Sequence, residues 1–218
     1  MTQNLFLSIA KDVHHLFERY NFEFEPRPFM PSVERDFLEG VYKNAKSILE
    51  FGSGGSTLFA IENNKEIVSV ESDEKFFKYL DAHIARRYQN SKANIILAQT
   101  GLTGRYGMPL FFPFSPGIPG KGISYVLSGY SRFTENRPDV IFVDGRWRIA
   151  CCLYSLIHFS SNLLLLLDDY EDNRSYKPVI EKHFHVDLNS RMATLRKKNN
   201  INRDELVSDF ISSLNNPE

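Results

Sequence analysis

The chain has 218 residues, of which 42% are hydrophobic and 24% are charged, a composition that excludes wholesale disorder and predicts one compact domain. Its 26 lysines and arginines nearly balance 27 aspartates and glutamates, and the net charge of −1 argues against non-specific nucleic-acid binding. The longest aliphatic run, 163–167, is too short to cross a bilayer, and the first residues do not form a signal peptide, so we expect a cytoplasmic protein with no membrane contact.

The first 44 residues are predicted to be helical. Apolar residues at three-to-four spacing from Leu5 to Tyr20 predict one amphipathic helix, and a second runs from Ser32 through Gly40 after three prolines. From residue 47 onward, short apolar runs alternate with amphipathic segments, which indicates βαβ units in an open α/β sheet. The predicted strands are 47–51, 67–71, 94–98, 139–143 and 162–167, and the predicted helices are 56–63, 74–90 and 148–159. A helix over 175–182, a hairpin of strands 184–188 and 192–196, and a helix over 201–214 complete the chain.

Residues 100–130 interrupt this alternation. They contain seven of the 12 glycines and four of the 10 prolines, together with several aromatic residues. Because long connections inside compact domains are usually functional, we predict an insertion loop that packs as a lid or a substrate wall.

A glycine-rich turn follows the first predicted strand. In the run Glu50-Phe51-Gly52-Ser53-Gly54-Gly55-Ser56-Thr57, a strand passes through the glycines into a helix. The free N–H groups at such a helix start bind a carboxylate or phosphate. Glu71 ends the second strand, where an acid in this class of fold hydrogen-bonds ribose hydroxyls. The pattern therefore predicts a nucleoside-type ligand.

Two nucleotide motifs fit this turn poorly. A phosphate-binding P-loop requires a lysine that Gly55-Ser56-Thr57 lacks. A dinucleotide fingerprint requires a third glycine at the position of Thr57 and is disfavoured by Glu50. An NAD-dependent oxidoreductase therefore remains only a weaker alternative.

Three motifs together resemble the class I S-adenosylmethionine-dependent methyltransferases, over residues 45–196. They are the turn from Leu49 to Thr57 with the acid Glu71, the run Val143-Asp144-Gly145-Arg146-x-Arg148, and the run Leu167-Asp168-Asp169-Tyr170. More narrowly, they resemble a little-characterised group of bacterial methyltransferase-like proteins. The resemblance implies a Rossmann-like three-layer sandwich with a mostly parallel seven-stranded sheet in the order 3-2-1-4-5-7-6. It also implies a methyltransferase-like domain over 45–218, preceded by the helical extension 1–44.

The resemblance implies S-adenosylmethionine as the cofactor, and it assigns residues to the parts of that molecule. Glu71 would bind the ribose, and Ser72 and Thr100 would lie near the adenine. The residues implied to line the methionine part and its carboxylate are Glu50, Phe51, Gly52, Ser53, Gly54, Ser56 and Thr57.

Acids and arginines follow the fourth and fifth strands. Because the carboxyl ends of parallel strands meet at one edge, we expect Asp144, Asp168 and Asp169 beside the glycine turn. Asp144, or else Asp169, is the candidate general base for a hydroxyl acceptor, although the same acids also suit a divalent cation or a purely structural role. Arg146 and Arg148 either bind an anionic group of the acceptor or neutralise these acids.

The sequence thus predicts methyl transfer to a hydroxyl of a small molecule or glycan. A methyltransferase-like protein that binds the cofactor without turnover is the main alternative. The oligomeric state is not indicated by any feature of the sequence. Cys151 and Cys152 lie on an apolar helix and are predicted to be buried packing residues.

Overall fold

The computed structural model describes residues 20–110, 118–133, 136–159, 163–171 and 175–217, so the helix predicted before Tyr20 lies outside the described residues. The helices are α1 (Ser32–Asn44), α2 (Gly55–Glu62), α3 (Glu74–Arg87), α4 (Ile118–Tyr130), α5 (Arg148–His158), α6 (Lys177–His183) and α7 (Arg203–Ser213). The strands are β1 (Ser47–Phe51), β2 (Glu66–Glu71), β3 (Ala93–Leu97), β4 (Val140–Val143), β5 (Leu164–Leu167), β6 (Phe184–Asn189) and β7 (Met192–Lys197). Of the helices in these ranges, none is long and apolar enough to cross a membrane.

The strands form one mixed sheet, and the predicted order is confirmed. Within the described ranges, seven strands pair in the order β3-β2-β1-β4-β5-β7-β6. The pairs from β3 to β5 are parallel, whereas β7 runs antiparallel to both β5 and β6. The chain leaves β3 at one side and re-enters at β4 on the other side of β1. This reversal opens a crevice at the carboxyl ends of β1 and β4, where ligands bind in open α/β sheets.

Alternate residues of the central strands face opposite hydrophobic cores. Leu49 and Phe51 of β1 pack into the core formed with α4, α5 and α7, whereas Ile48 packs into the core formed with α1, α2 and α3. The same alternation holds in β4 and β5, because successive side chains of a strand point to opposite faces. Both faces are covered, which is why these strands are largely apolar, with the buried Glu50 of β1 as an exception.

Helix α1 belongs to the second of these cores. Leu38 and Tyr42 are fully buried there with Ile48, and burial of each large apolar side chain contributes about 1.5–3 kcal/mol to folding. The described part of the predicted N-terminal extension is therefore packed on the sheet. The boundary between residues 44 and 45 stays a prediction.

The prediction of an insertion loop over 100–130 is wrong for its second half. Helix α4 occupies 118–130, and Tyr125, Val126 and Tyr130 are fully buried against the sheet. The glycines and prolines of this segment lower its helix propensity, but tertiary packing of these large side chains outweighs that local preference. Residues 111–117 of the predicted lid lie outside the described residues.

Candidate functional site

The carboxyl ends of four neighbouring strands meet at one edge of the sheet. Main-chain hydrogen bonds connect them in sequence: Gly52 N to Val70 O at 2.9 Å, Asp144 N to Phe51 O at 2.9 Å, and Asp168 N to Val143 O at 3.0 Å. The glycine turn, Glu71 and the acids after β4 and β5 therefore border the same crevice, as the sequence predicts.

The glycine turn requires glycine where it meets the loop after β4. Gly52 has φ +100°, and a Cβ there would lie 2.7 Å from the main-chain nitrogen of Gly145. The two loops are thus packed backbone to backbone, in a conformation that other residues rarely adopt. Residues 52–55 are all partly exposed, so the main chain of the turn faces the crevice.

Glu50 lies beneath this turn and stabilises it through hydrogen bonds. Its carboxylate is fully buried and accepts hydrogen bonds from the hydroxyls of Tyr42 (3.1 Å), Thr57 (2.5 Å) and Ser69 (2.6 Å). Burial raises the pKa of Glu50, and hydrogen bonds from Ser56, Ser69, Thr57 and Tyr42 oppose that increase. Thr57 also accepts a hydrogen bond from Gly54 N at 2.9 Å, which shapes the helix start.

The place beside the cofactor that is predicted for Glu50, Phe51 and Thr57 therefore depends on their main chain and stays a prediction. All three are inaccessible to solvent, because β1 lies between two cores and Thr57 faces the sheet. The Ser56 side chain, which is 7% exposed, is likewise directed to Glu50. Gly52, Ser53 and Gly54 remain as ligand-facing candidates through their main chain.

Glu71 lies directly beside the turn. Its carboxylate accepts hydrogen bonds from the main-chain nitrogens of Ser72 (2.7 Å), Asp73 (2.8 Å) and Ser53 (3.3 Å). Burial raises the pKa of Glu71 from its ordinary value of 4.5 to about 7, although the hydrogen bonds from Asp73 and Ser72 favour the charged form. One nucleoside could therefore contact both this acid and the glycine turn.

The hydroxyls of Ser72 and Thr100 donate hydrogen bonds to main-chain carbonyls of the protein. Ser72 Oγ donates to the carbonyl of Gly107 at 3.0 Å, and Thr100 Oγ1 donates to the carbonyl of Ser72 at 3.3 Å. Both residues are almost fully buried. These two hydrogen bonds join the loop after β3 to the end of β2, and the place near the adenine that the resemblance implies for Ser72 and Thr100 stays a prediction.

The sequence gives no signal for one wall of the crevice. The main-chain carbonyl of Arg27 lies so close to Gly55 that a Cβ on Gly55 would stand 2.0 Å from it. The segment before α1 therefore covers one side of the start of α2. This contact joins residues far apart in the chain, and no local pattern around Arg27 predicts it.

The three aspartates form a tight carboxylate cluster. Asp144, Asp168 and Asp169 each have a carboxylate oxygen that lies within 4.8 Å of the corresponding oxygens of the other two. Burial, together with the charges of Asp144 and Asp169, raises the pKa of Asp168 to about 7. Burial also raises the pKa of Asp144, whereas Arg148 lowers it. Among the described residues, Asp168 Oδ1 is buried without a hydrogen-bond partner.

Arg148 lies in the middle of this cluster. Its Nη2 is 3.1 Å from Asp144 Oδ1, and its Nη1 is 3.4 Å from Asp169 Oδ2. The same guanidinium donates to the main-chain carbonyls of Asp168 (2.7 Å), Asp144 (3.0 Å) and Gly145 (3.1 Å). Of the two roles predicted for Arg148, these contacts support neutralisation of the acids. Arg148 is only 5% exposed and its donors are used inside the protein, so the substrate-binding role predicted for it has no support in these contacts and stays a prediction.

Arg146 has a different environment. It is partly exposed, and among the described residues its buried Nε has no hydrogen-bond partner. Burial and the charge of Arg148 lower the pKa of Arg146, while Tyr125, Asp144 and Glu71 act in the opposite direction. Arg146 is thus a partly desolvated cation within electrostatic range of both Glu71 and Asp144, and it remains a candidate for binding an anionic ligand.

No protein-family model and no curated protein matches the chain. Among solved structures, it is similar to a methyltransferase-like protein from Silicibacter pomeroyi, at 30% identity and a TM-score of 0.77, over 89% of this chain and 100% of that one. It is also similar to an O-methyltransferase from Bacillus cereus in complex with SAH (S-adenosylhomocysteine), at 13% identity and a TM-score of 0.51, over 91% and 92% of the two chains. The second likeness concerns the fold alone. By the first, together with the sheet order, the chain belongs to the class I S-adenosylmethionine-dependent methyltransferase family, in the group of methyltransferase-like proteins represented by the Silicibacter pomeroyi protein.

Proposed function

We propose that the protein transfers a methyl group from S-adenosylmethionine to a hydroxyl of a small molecule or glycan. The observation that carries this proposal is the position of Glu71, whose carboxylate accepts a hydrogen bond from Ser53 N of the glycine turn at 3.3 Å. A ribose-binding acid and a helix start that can bind a carboxylate thus lie side by side. The B. cereus O-methyltransferase, which shares the fold, was solved with SAH bound.

The chain offers groups for two polar parts of this cofactor, the ribose and the methionine carboxylate. Glu71 would accept hydrogen bonds from the ribose hydroxyls, and the N–H groups at the start of α2 would bind the methionine carboxylate. The exposed main chain of Gly52, Ser53 and Gly54 would line the path between them. When bound, the cofactor supplies an electrophilic methyl group, and the protein must bring an acceptor oxygen into line with it.

Asp144 is the proposed general base. Its side chain is 37% exposed, compared with 26% for Asp169, and Asp168 is almost fully buried. Its raised pKa suits a group that removes a hydroxyl proton near neutral pH. Asp169 is less suited to this role because its carboxylate pairs with both Arg148 and Arg191.

We assign Arg146 to an anionic group on the acceptor, such as a carboxylate, sulfate or phosphate. Arg148 already neutralises the carboxylate cluster, so Arg146 is not required for that purpose. A partly desolvated guanidinium is stabilised by a charged partner, and its forked donors suit the oxygens of such groups. The hydroxyl that receives the methyl group would then lie between Arg146 and Asp144.

Calorimetric titration with S-adenosylhomocysteine tests the cofactor assignment, with NAD as the control ligand. Wild-type protein is expected to bind S-adenosylhomocysteine, and Glu71→Ala to lose that binding. The matched control is Glu66→Ala, at the exposed start of the same strand, which should bind as the wild type does. Binding of NAD alone, or equal binding by both variants, would overturn the assignment.

A screen of hydroxylated acceptors with and without anionic groups tests the chemistry. Asp144→Asn should abolish turnover without weakening S-adenosylhomocysteine binding. Arg146→Gln should raise KM for anionic acceptors only, whereas Arg203→Gln on the exposed face of α7 should change nothing. Cofactor binding with no methyl loss to any acceptor would favour a binding protein without turnover.

A further inference from the structure

The sequence leaves open a divalent cation among Asp144, Asp168 and Asp169, and these three acids each offer a carboxylate oxygen within 4.8 Å of the others. Whether such an ion fits depends on what already lies among them. In this protein the space between Asp144 and Asp169 contains the Arg148 guanidinium, which is in ion-pair contact with both.

We infer that Arg148 takes the place of a divalent cation in this carboxylate cluster, so that the protein holds its acids without a metal ion. Arg148 binds two carboxylates and three main-chain carbonyls, a set of oxygens that resembles the shell of a hard cation. A metal ion placed between the same carboxylates would meet the guanidinium as a like charge in a largely buried position.

The charges around the cluster also leave little attraction for a metal ion. Asp169 pairs with Arg191 at 3.1 Å as well as with Arg148. Arg191 shares its charge with Glu34 and Glu171, so Arg148 is the main counter-charge of the cluster, and a cation between Asp144 and Asp169 would have to displace it.

The position of Arg148 in the sequence agrees with this role. It is the first residue of α5, where a positive charge opposes the helix macrodipole and an acid would normally be favoured. The carboxylates compensate that unfavourable placement. Removal of the guanidinium alone should leave uncompensated buried acids, the condition under which a small cation becomes the best available partner.

Titration with Mn²⁺, followed by calorimetry and by its electron paramagnetic resonance signal, tests the inference on the full chain. Wild-type protein should bind no Mn²⁺ at the cluster up to about 1 mM, whereas Arg148→Gln should gain one site at least about tenfold tighter than that limit. Asp168→Asn added to Arg148→Gln should remove the new site. Arg146→Gln is the matched control, because it removes the neighbouring arginine that has no ion pair with the cluster among the described residues, and it should gain no site.

Either of two results would overturn the inference: a Mn²⁺ site in the wild type that Asp144→Asn removes, or a folded Arg148→Gln variant that binds no more Mn²⁺ than the wild type. Should Arg148→Gln fail to fold alone, Mn²⁺ is expected to restore its cooperative unfolding transition, and failure to do so would contradict the inference. These readouts do not use methyl transfer, so they remain informative whichever acceptor the protein has.

Discussion

Glu71 is expected to reduce the stability of the ligand-free protein above neutral pH, and Glu71→Gln should reverse this. Burial raises the pKa of Glu71 from 4.5 to about 7, so the folded state binds more protons than the unfolded state between these values. The contribution of Glu71 to the free energy of unfolding is therefore highest below pH 4.5 and falls as the pH rises to about 7. The full change corresponds to about 3 kcal/mol.

Glutamine removes the titration but keeps part of the hydrogen bonding. Its amide oxygen can still accept from the main-chain nitrogens of Ser72 and Asp73. Its NH₂ group would face Ser53 N, a mismatch that costs about 1 kcal/mol. Glu71→Gln should therefore be about 2 kcal/mol more stable than the wild type at pH 8, with no advantage at pH 5. It should also bind S-adenosylhomocysteine about 10- to 100-fold more weakly, because the ribose loses a charged acceptor.

Urea denaturation from pH 5 to pH 8.5 measures the difference in the free energy of unfolding between Glu71→Gln and the wild type. Only this difference isolates Glu71, since Asp168 also has its pKa raised to about 7 and changes the wild-type curve in the same direction. Glu66→Gln on the exposed end of β2 is the control and should show a constant difference. A Glu71→Gln protein that is less stable at pH 8, or whose advantage does not change with pH, would refute the reasoning.

Three further predictions concern stability and reactivity. Gly52→Ala should destabilise the protein by about 2 kcal/mol or more and prevent S-adenosylhomocysteine binding, because it introduces a Cβ at φ +100° against the neighbouring backbone; thermal denaturation and calorimetry measure both effects. Tyr42→Phe should lower the free energy of unfolding in urea by about 1–3 kcal/mol, because the buried Glu50 carboxylate loses a donor. Cys151 and Cys152 should not react with a thiol reagent until urea unfolds the chain, because both are fully buried and burial raises the pKa of each thiol.

Each of these predictions has a control. A Cβ on Gly54, in the same turn, would have no atom within 4 Å, so Gly54→Ala should be tolerated much better than Gly52→Ala. Equal destabilisation by the two substitutions would contradict the steric argument. Tyr88→Phe removes an exposed hydrogen bond to Glu62 and should change stability by less than about 0.5 kcal/mol. A rapid native-state reaction of either thiol would contradict the burial argument.

Local pattern was enough to locate the strands and the acid that ends β2. The predicted strand 94–98 differs by one residue from Ala93–Leu97, and 47–51 coincides with β1. Strands covered on both faces are largely apolar, so their positions appear directly in the sequence. The order of the strands came from the resemblance and not from the pattern, because hydrophobic periodicity does not encode which strands are neighbours.

Only the tertiary structure decided what the polar residues at the site do. Glu50 and Arg148 are both charged residues at strand ends or helix starts; the resemblance placed Glu50 beside the cofactor, and the sequence left Arg148 either to bind an anionic group or to neutralise the acids. The structure surrounds Glu50 with hydroxyls from α1, α2 and β2, and it surrounds Arg148 with oxygens from the loops after β4 and β5. Such partners lie up to 20 residues away, and burial of a charge depends on all of them together. The sequence therefore determined which elements form and which chemical groups reach the crevice, whereas packing of the assembled sheet and helices determined which of those groups remain available to a ligand.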